Sequence, residues 1–244
     1  MKNSKLFLSC LVTILLATSC LQKGYVLFKN KPNEIIATPM IKEYLKKQPN
    51  PAIVLKAPNT ENKSTQADPN SYIYNAIEKE LLLAGFDVKD RGLYNEVVNK
   101  SKEINYDDLK KLTQTDLILE LVQVSTNIEH GTNMYYRKDG TEKIRKDHTF
   151  RKYGAVIEFK LTLIENNQYA GSYSFNYTPC DKIDKNNCEC EVAYKVLPPK
   201  FYPNLSFCRG QKNSSNSSYE YVSQNTMEEF VRNGVKLMIN EIKK

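Results

Sequence analysis

The chain has 244 residues, with 35 Lys and Arg against 28 Asp and Glu, a formal charge of +7 and 41% apolar residues. Those values exclude neither a single globular domain nor an ordinary core, and the absence of Trp beside 16 Tyr is the one unusual feature of composition. Lys102, Lys110, Lys111, Lys143, Lys146, Lys182, Lys185 and Lys243-Lys244 form no single block, so the positive charge reads as a solvated surface and not as a nucleic-acid footprint.

Lys2 and Lys5 make a positive start, and Leu6 to Leu16 is an apolar run too short to span a bilayer as a helix. Ala17-Thr18-Ser19-Cys20 follows, small residues ending on a Cys, as in a bacterial lipobox. Residues 1–19 are thus expected to be a signal peptide, with Cys20 the lipidated first residue of the mature chain, bearing acyl (palmitate) groups. Ala17 stands where Leu is usual, and Ala17 with Ser19 also satisfies ordinary signal peptidase, so plain secretion stays open. No acidic residue directly follows Cys20, which favours a periplasm-facing place, most simply on the outer membrane.

If Cys20 is acylated, four cysteines remain after processing: Cys180, Cys188, Cys190 and Cys208. In an exported protein they are candidates for two disulfides. Cys188 and Cys190 are too close in sequence to bond each other well, so each is expected to pair with Cys180 or Cys208, in one of two connectivities. A zinc site is the alternative, but no C-x-x-C pair is present.

Residues 20–50 read as a lipidated tether with some structure: a short strand at Tyr25-Val26-Leu27-Phe28 and a helical turn or two from Met40 to Leu45. Ala52-Ile53-Val54-Leu55, between Pro51 and Pro58, reads as a buried strand. Asn59 to Ala67 is a polar loop. Asp68-Pro69 predicts a helix start, and Ile73, Ala76, Ile77, Leu81 and Ala84 recur at helical spacing before a stop at Gly85. Phe86 to Asp90 alternates as a strand covered on one face. A second helix is expected around Leu93, Val97 and Val98. A third, capped by Asn105 or Asp107, should bury Leu109 and Leu112.

Leu117 to Val122 is apolar on both parities, which predicts a central strand buried on both faces. Glu120, its one interior polar residue, is expected near an end or facing a partner. Glu129 to Thr149 reads as a polar loop holding His130 and His148, with a turn at Asp139-Gly140. Tyr153 to Ile164 and Tyr169 to Tyr177, joined at Asn166-Asn167, form a long hairpin. Residues 179–218 are expected to be an irregular, cysteine-containing insertion. Last comes a helix with Val231, Val235, Met238 and Ile242 on one stripe, where Gly234 suggests close approach to the sheet.

The expected fold class is α/β: a mixed sheet of four to six strands with helices packed on it, in the order strand-helix-strand-helix-helix-strand-strand-strand-helix. Residues 51–244 are assigned to one such domain. No Gly-rich phosphate loop follows Ile53-Val54-Leu55, which argues against a nucleotide-binding doubly wound sheet.

The helix Tyr72–Ala84, then Gly85-Phe86-Asp87-Val88-Lys89-Asp90-Arg91, the strand Asp116–Leu121 and Ile157–Ile164 before the turn together resemble a known group. These are bacterial envelope lipoproteins with a domain like the curli production assembly/transport component, a group similar to flagellar and penicillin-binding-protein-activator lipoproteins and to the amino-terminal domain of the translocation protein TolB. The resemblance covers about residues 51–178 and the final helix. It implies a noncatalytic, membrane-anchored module that contacts other envelope proteins or further copies of itself, serving cell-envelope assembly or secretion. Pore-forming members carry membrane-spanning hairpins; Glu129–Thr149 is too polar for one.

No set of paired carboxylates, Ser/His/Asp residues or metal-ligand spacings stands out, so neither an enzyme, a cofactor nor a metal is expected. The alternative is a surface-displayed lipoprotein that grips glycan or peptide with Tyr135, Tyr136, Tyr202, Tyr219 and Tyr221.

Overall fold

A computed structural model describes residues 21–58, 70–92, 94, 106–146, 148–165, 167–179, 182–184, 187–195 and 222–244. The chain forms two compact units, where the sequence reading has one domain from residue 51: one of Met1–Asn30, Glu129–Tyr153 and Thr178–Glu220, the other of Lys31–Ile128, Gly154–Tyr177 and Tyr221–Lys244. The fold class is α/β with mixed pairing, as expected.

The larger unit is built on a six-stranded sheet. Its strands are β2 (Glu34–Ala37), β3 (Ala52–Lys56), β4 (Asp87–Lys89), β5 (Leu117–Thr132), β8 (Phe150–Leu163) and β9 (Gln168–Tyr177). They lie in the order β2-β9-β8-β5-β3-β4. β3 pairs in parallel with both β4 and β5, while β9 pairs antiparallel with β2 and β8. The parallel half follows from crossover connections: a strand that leaves through a helix returns alongside in the same direction. The long hairpin supplies the antiparallel half.

Four helices are described: α1 (Pro39–Lys47), α2 (Ser71–Leu83), α3 (Tyr106–Thr113) and α4 (Gln224–Ile242). Ile73, Ala76, Ile77 and Leu81 of α2, and Val231, Val235, Met238 and Ile242 of α4, are all buried in one core with Ile157, Phe159, Leu161 and Phe175 of the hairpin. These are the stripes read from sequence, and each fully buried side chain of this size contributes roughly 1.5–3 kcal/mol. Gly85 ends α2 with φ +87°, a conformation that a side chain would strain. Gly234 lets α4 approach the sheet: a Cβ there would lie 3.0 Å from the Phe175 ring. On the other side of the sheet Val54, Tyr94, Ile118 and Ile164 form a smaller cluster, so β3 and β5 are buried on both faces.

Several expectations change. α2 starts at Ser71 with Asn70 as its N-cap, and Asp68-Pro69 lies outside the described residues. The helix expected around Leu93, Val97 and Val98 also lies largely outside them. Leu112 of α3 is 65% exposed instead of buried. α3 is only eight residues long. One such face does not bury every apolar side chain that its spacing suggests. In the stretch read as a structured tether, the strand expected at Tyr25–Phe28 lies within β1 (Leu21–Lys29) and the helical turn expected at Met40–Leu45 within α1, while β2 is unexpected.

The smaller unit holds a five-stranded sheet in the order β10-β11-β1-β6-β7, with β6 (Met134–Arg137), β7 (Glu142–Ile144), β10 (Lys182–Asp184) and β11 (Asn187–Lys195). Glu129–Thr149 is therefore mostly strand and hairpin, not loop, and the insertion at 179–218 contributes two strands. Polar composition hides such strands, because ladder hydrogen bonds come from the main chain and need no apolar side chain. The expected turn at Asp139-Gly140 is present: Gly140 has φ +82°, its N–H donates to the Arg137 carbonyl (2.9 Å), and the Thr141 N–H donates to Asp139 Oδ1 (2.9 Å).

One polar atom of the main core stands apart. The Tyr173 hydroxyl is buried and has no hydrogen-bond partner among the described residues. It lies over Gly171, where an added Cβ would collide with it and sit 2.6 Å from the Ile36 carbonyl oxygen. Burial, followed by Tyr169 and Glu241, pushes the phenol far above its ordinary value. Removing an unsatisfied buried hydroxyl should stabilise. Tyr173→Phe is expected to raise the unfolding free energy in urea by about 1 kcal/mol. Gly171→Ala should lower it by at least about 2 kcal/mol. Equal stability of Tyr173→Phe and wild type would mean that the hydroxyl is satisfied in solution.

Candidate functional site

In open sheets with parallel strands, ligands bind outside the carboxyl ends of the strands where successive crossovers depart to opposite faces. Here that position lies between β3 and β5, since β4 and β5 flank β3 on either side. It is occupied by an ion pair: Lys56 Nζ lies 2.7 Å from Glu120 Oε1, and the two residues face each other in the β3–β5 register. Glu120 therefore faces a partner across the sheet, as its place in an apolar strand suggests. Among the described residues no group of three or more His, Cys, Asp or Glu side chains is placed to hold a metal ion.

A second charged cluster joins α2 to α4. The Glu80 carboxylate, only 5% exposed, accepts from Arg232 Nη1 (2.8 Å) and lies 3.8 Å from Lys236 Nζ. Arg232 also reaches Glu228 (2.7 Å), which holds its guanidinium in place. A buried carboxylate needs such partners to stay charged. Neither the Glu80 pairing nor its 152-residue separation from Arg232 is visible in the sequence. The Phe86–Arg91 motif has a similar structural explanation. Phe86 is buried beneath Lys243 (4.9 Å to the ring), and Arg91 pairs with Glu78 (2.8 Å) while lying over the Tyr74 ring at 4.8 Å.

The smaller unit gathers the other sequence-predicted residues. One face of its sheet buries Val26, Phe28, Tyr135, Phe150 and Cys190. Cys190 stands opposite Val26 and Cys188 opposite Phe28, so the two positions share that face. The sulfur of Cys190 lies against the Pro179 carbonyl oxygen. Cys20, Cys180 and Cys208 lie outside the described residues, as does the side chain of Cys188. His130 and His148 do not form a shared site: His130 packs on Phe28 (5.8 Å between centroids) and His148 edge-on against Phe150 (4.7 Å).

The opposite face carries an arrangement the sequence reading missed. Tyr25 and Tyr136 stack nearly parallel, with centroids 5.2 Å apart and 13° between planes. The Tyr136 hydroxyl donates to Glu142 (3.1 Å), and burial followed by that bond raises its pKa. Tyr135 and Tyr136 thus belong to a strand, one in the core and one in a stack; Tyr202, Tyr219 and Tyr221 lie outside the described residues. Period-2 alternation in 134–137 was the available signal, but the pairing with Tyr25 joins residues over a hundred positions apart.

No protein-family model matches the chain, and no curated protein does. Among solved structures, similarity extends to a PelC dodecamer from Paraburkholderia phytofirmans: 8% identity, 80% of this chain and 90% of that one, TM-score 0.33. The hypothetical protein CT253 from Chlamydia trachomatis matches at 9% identity over 80% of this chain and 96% of its own, TM-score 0.33. A PDZ domain protein from Parabacteroides distasonis matches at 11% identity over 70% of this chain but 35% of its own, TM-score 0.29.

The histidines make the smaller unit sensitive to pH. Burial lowers the pKa of both, with Arg145 lowering His148 further. The folded form then binds fewer protons than the unfolded chain below the ordinary value of 6.5. Stability is present above that value and is lost as pH falls through the depressed folded values. The thermal midpoint followed by tyrosine near-ultraviolet dichroism is expected to drop between neutral pH and the mildly acidic range. The double variant His130→Gln/His148→Gln should flatten that slope, and an unchanged slope would remove the histidines as its cause.

Proposed function

We propose that this chain is a noncatalytic lipoprotein of a bacterial cell envelope, anchored through Cys20 on the outer membrane and facing the periplasm. It works as an interaction or scaffold module for other envelope proteins in assembly or secretion. The observation that supports this reading is the position of Cys20, between the apolar run Leu6–Leu16 and Leu21, the first residue of β1. A lipid on Cys20 would hold the smaller sheet directly at the bilayer, without a linker. Two disulfides from Cys180, Cys188, Cys190 and Cys208 belong to the same reading, since they suit the oxidising side of the inner membrane. The Lys56–Glu120 pair in the crevice favours a scaffold over a cofactor enzyme.

A second reading has one observation in its favour. The parallel Tyr25–Tyr136 stack is a rigid aromatic platform, of a kind that binds a sugar ring or an extended peptide, which suits a surface-displayed ligand-binding lipoprotein. Protease treatment of intact cells separates the two, since only a surface-displayed chain is cut.

Mass spectrometry of the mature amino terminus tests the anchor. The expected result is a chain beginning at an acylated Cys20, with Cys20→Ser leaving unprocessed precursor and losing the acylated form. A mature chain without acyl groups would contradict the proposal, and crosslinking that recovers no envelope protein would contradict its scaffold role.

A further inference from the structure

The described residues of the hairpin β6–β7 carry more positive than negative charge, with Asp139 offsetting part of that of Arg137. Arg137, Lys138, Lys143, Arg145 and Lys146 stand there against two described carboxylates, Asp139 and Glu142. Both are engaged inside the hairpin: Asp139 accepts from the Thr141 N–H at 2.9 Å and Glu142 from the Tyr136 hydroxyl at 3.1 Å. Among the described residues none of the five cations forms an ion pair. Arg137, Lys138, Lys143 and Lys146 are exposed, and Ile144 among them is 63% exposed.

Register places this charge. β6 runs antiparallel to β1, with Gly24 opposite Arg137 and Tyr25 opposite Tyr136. The turn after Arg137 therefore lies at the end of the sheet where β1 begins. Gly24 is three residues from Leu21, the first residue of β1, about 10 Å along the strand. On the other flank β11 ends at the same level, with Lys195 opposite Leu21 and Ala193 opposite Lys23. Positions 23, 137, 138 and 195, all basic, thus rim the end of the sheet at which the chain emerges from Cys20.

We infer that this end of the smaller sheet, with Arg137 and Lys138 at its turn, is a docking surface for an anionic phospholipid membrane. The inference rests on the lipid anchor proposed above for its biological setting. A basic patch beside a lipid anchor adds electrostatic attraction to an anionic bilayer and orients the anchored unit on it. Edge-strand lysines also discourage strand-to-strand aggregation, a role that requires no lipid. The two roles differ in what a vesicle would report.

The test uses the full mature chain with Cys20→Ser, which removes the lipid and leaves the surface. Cosedimentation with vesicles of phosphatidylglycerol and phosphatidylethanolamine is expected at low salt, falling as salt rises, with no binding to phosphatidylcholine vesicles. Each basic residue at a surface is worth roughly fivefold in membrane affinity. Arg137→Glu/Lys138→Glu should therefore weaken binding at least about tenfold. Lys47→Glu/Lys79→Glu, an equal charge change on exposed residues of the larger unit, should leave it within about twofold. Circular dichroism and thermal midpoints confirm that each variant is folded. Equal binding to phosphatidylcholine, no loss in Arg137→Glu/Lys138→Glu, or equally tight binding of duplex DNA at matched phosphate concentration would each overturn the inference. The acyl mass at Cys20 is a separate measurement, so failure of the anchor and failure of the surface are told apart.

Discussion

Asp116 ties together several elements of the larger unit through its side chain and main chain. Its Oδ2 accepts from the Ala52 N–H and from Gln48 Nε2, both at 2.9 Å. Its own N–H donates to the Ala52 carbonyl, and its carbonyl accepts from the Ile164 N–H, each at 2.9 Å. One residue thereby fixes the start of β3, the start of β5, the residue after α1 and the end of β8. Tyr44 completes the arrangement by donating to Gln48 Oε1 at 2.9 Å, which turns the Gln48 amide toward Asp116. Burial, reinforced by Asp116, raises the Tyr44 pKa, so the phenol stays neutral and remains a donor. Charge-assisted bonds of this kind to a mostly buried carboxylate are among the stronger polar contributions to a fold.

From that corner the rest follows. β3 and β5 are held in parallel register, so the side chains of Lys56 and Glu120 meet in an ion pair across the two strands. The hairpin β8–β9 continues the sheet, and α4 closes over it because Gly234 admits the Phe175 ring. The result is a packed scaffold in which Lys56–Glu120, Glu80–Arg232 and Arg91–Glu78 are paired. The smaller unit presents the Tyr25–Tyr136 stack and the exposed cations of the β6–β7 hairpin.

The sequence reveals the elements that bury apolar side chains at a regular period. β8, β9, α2 and α4 are legible for that reason, as is β3, and Gly85 and Gly140 mark turns that need positive φ. β6, β7, β10 and β11 are not legible, because main-chain ladders hold them and, among the described residues, only five form the core of their unit. Leu112 misleads since spacing alone does not say whether a short helix has anything to pack against. The pairings that position the candidate surfaces, Glu80 with Arg232, Tyr25 with Tyr136 and Gly24 with Arg137, are long-range, and a single sequence carries no signal for them. Asp116 was read as the opening of a strand, which is its place but not its role.

The claim that Asp116 organises the larger sheet is tested most directly by urea denaturation of Asp116→Ala. Two hydrogen bonds to a charged acceptor are lost and the Ala52 N–H is left without its side-chain partner, so a loss of about 3 kcal/mol in unfolding free energy is predicted. A loss below about 0.5 kcal/mol, the range of an ordinary surface substitution, would contradict it.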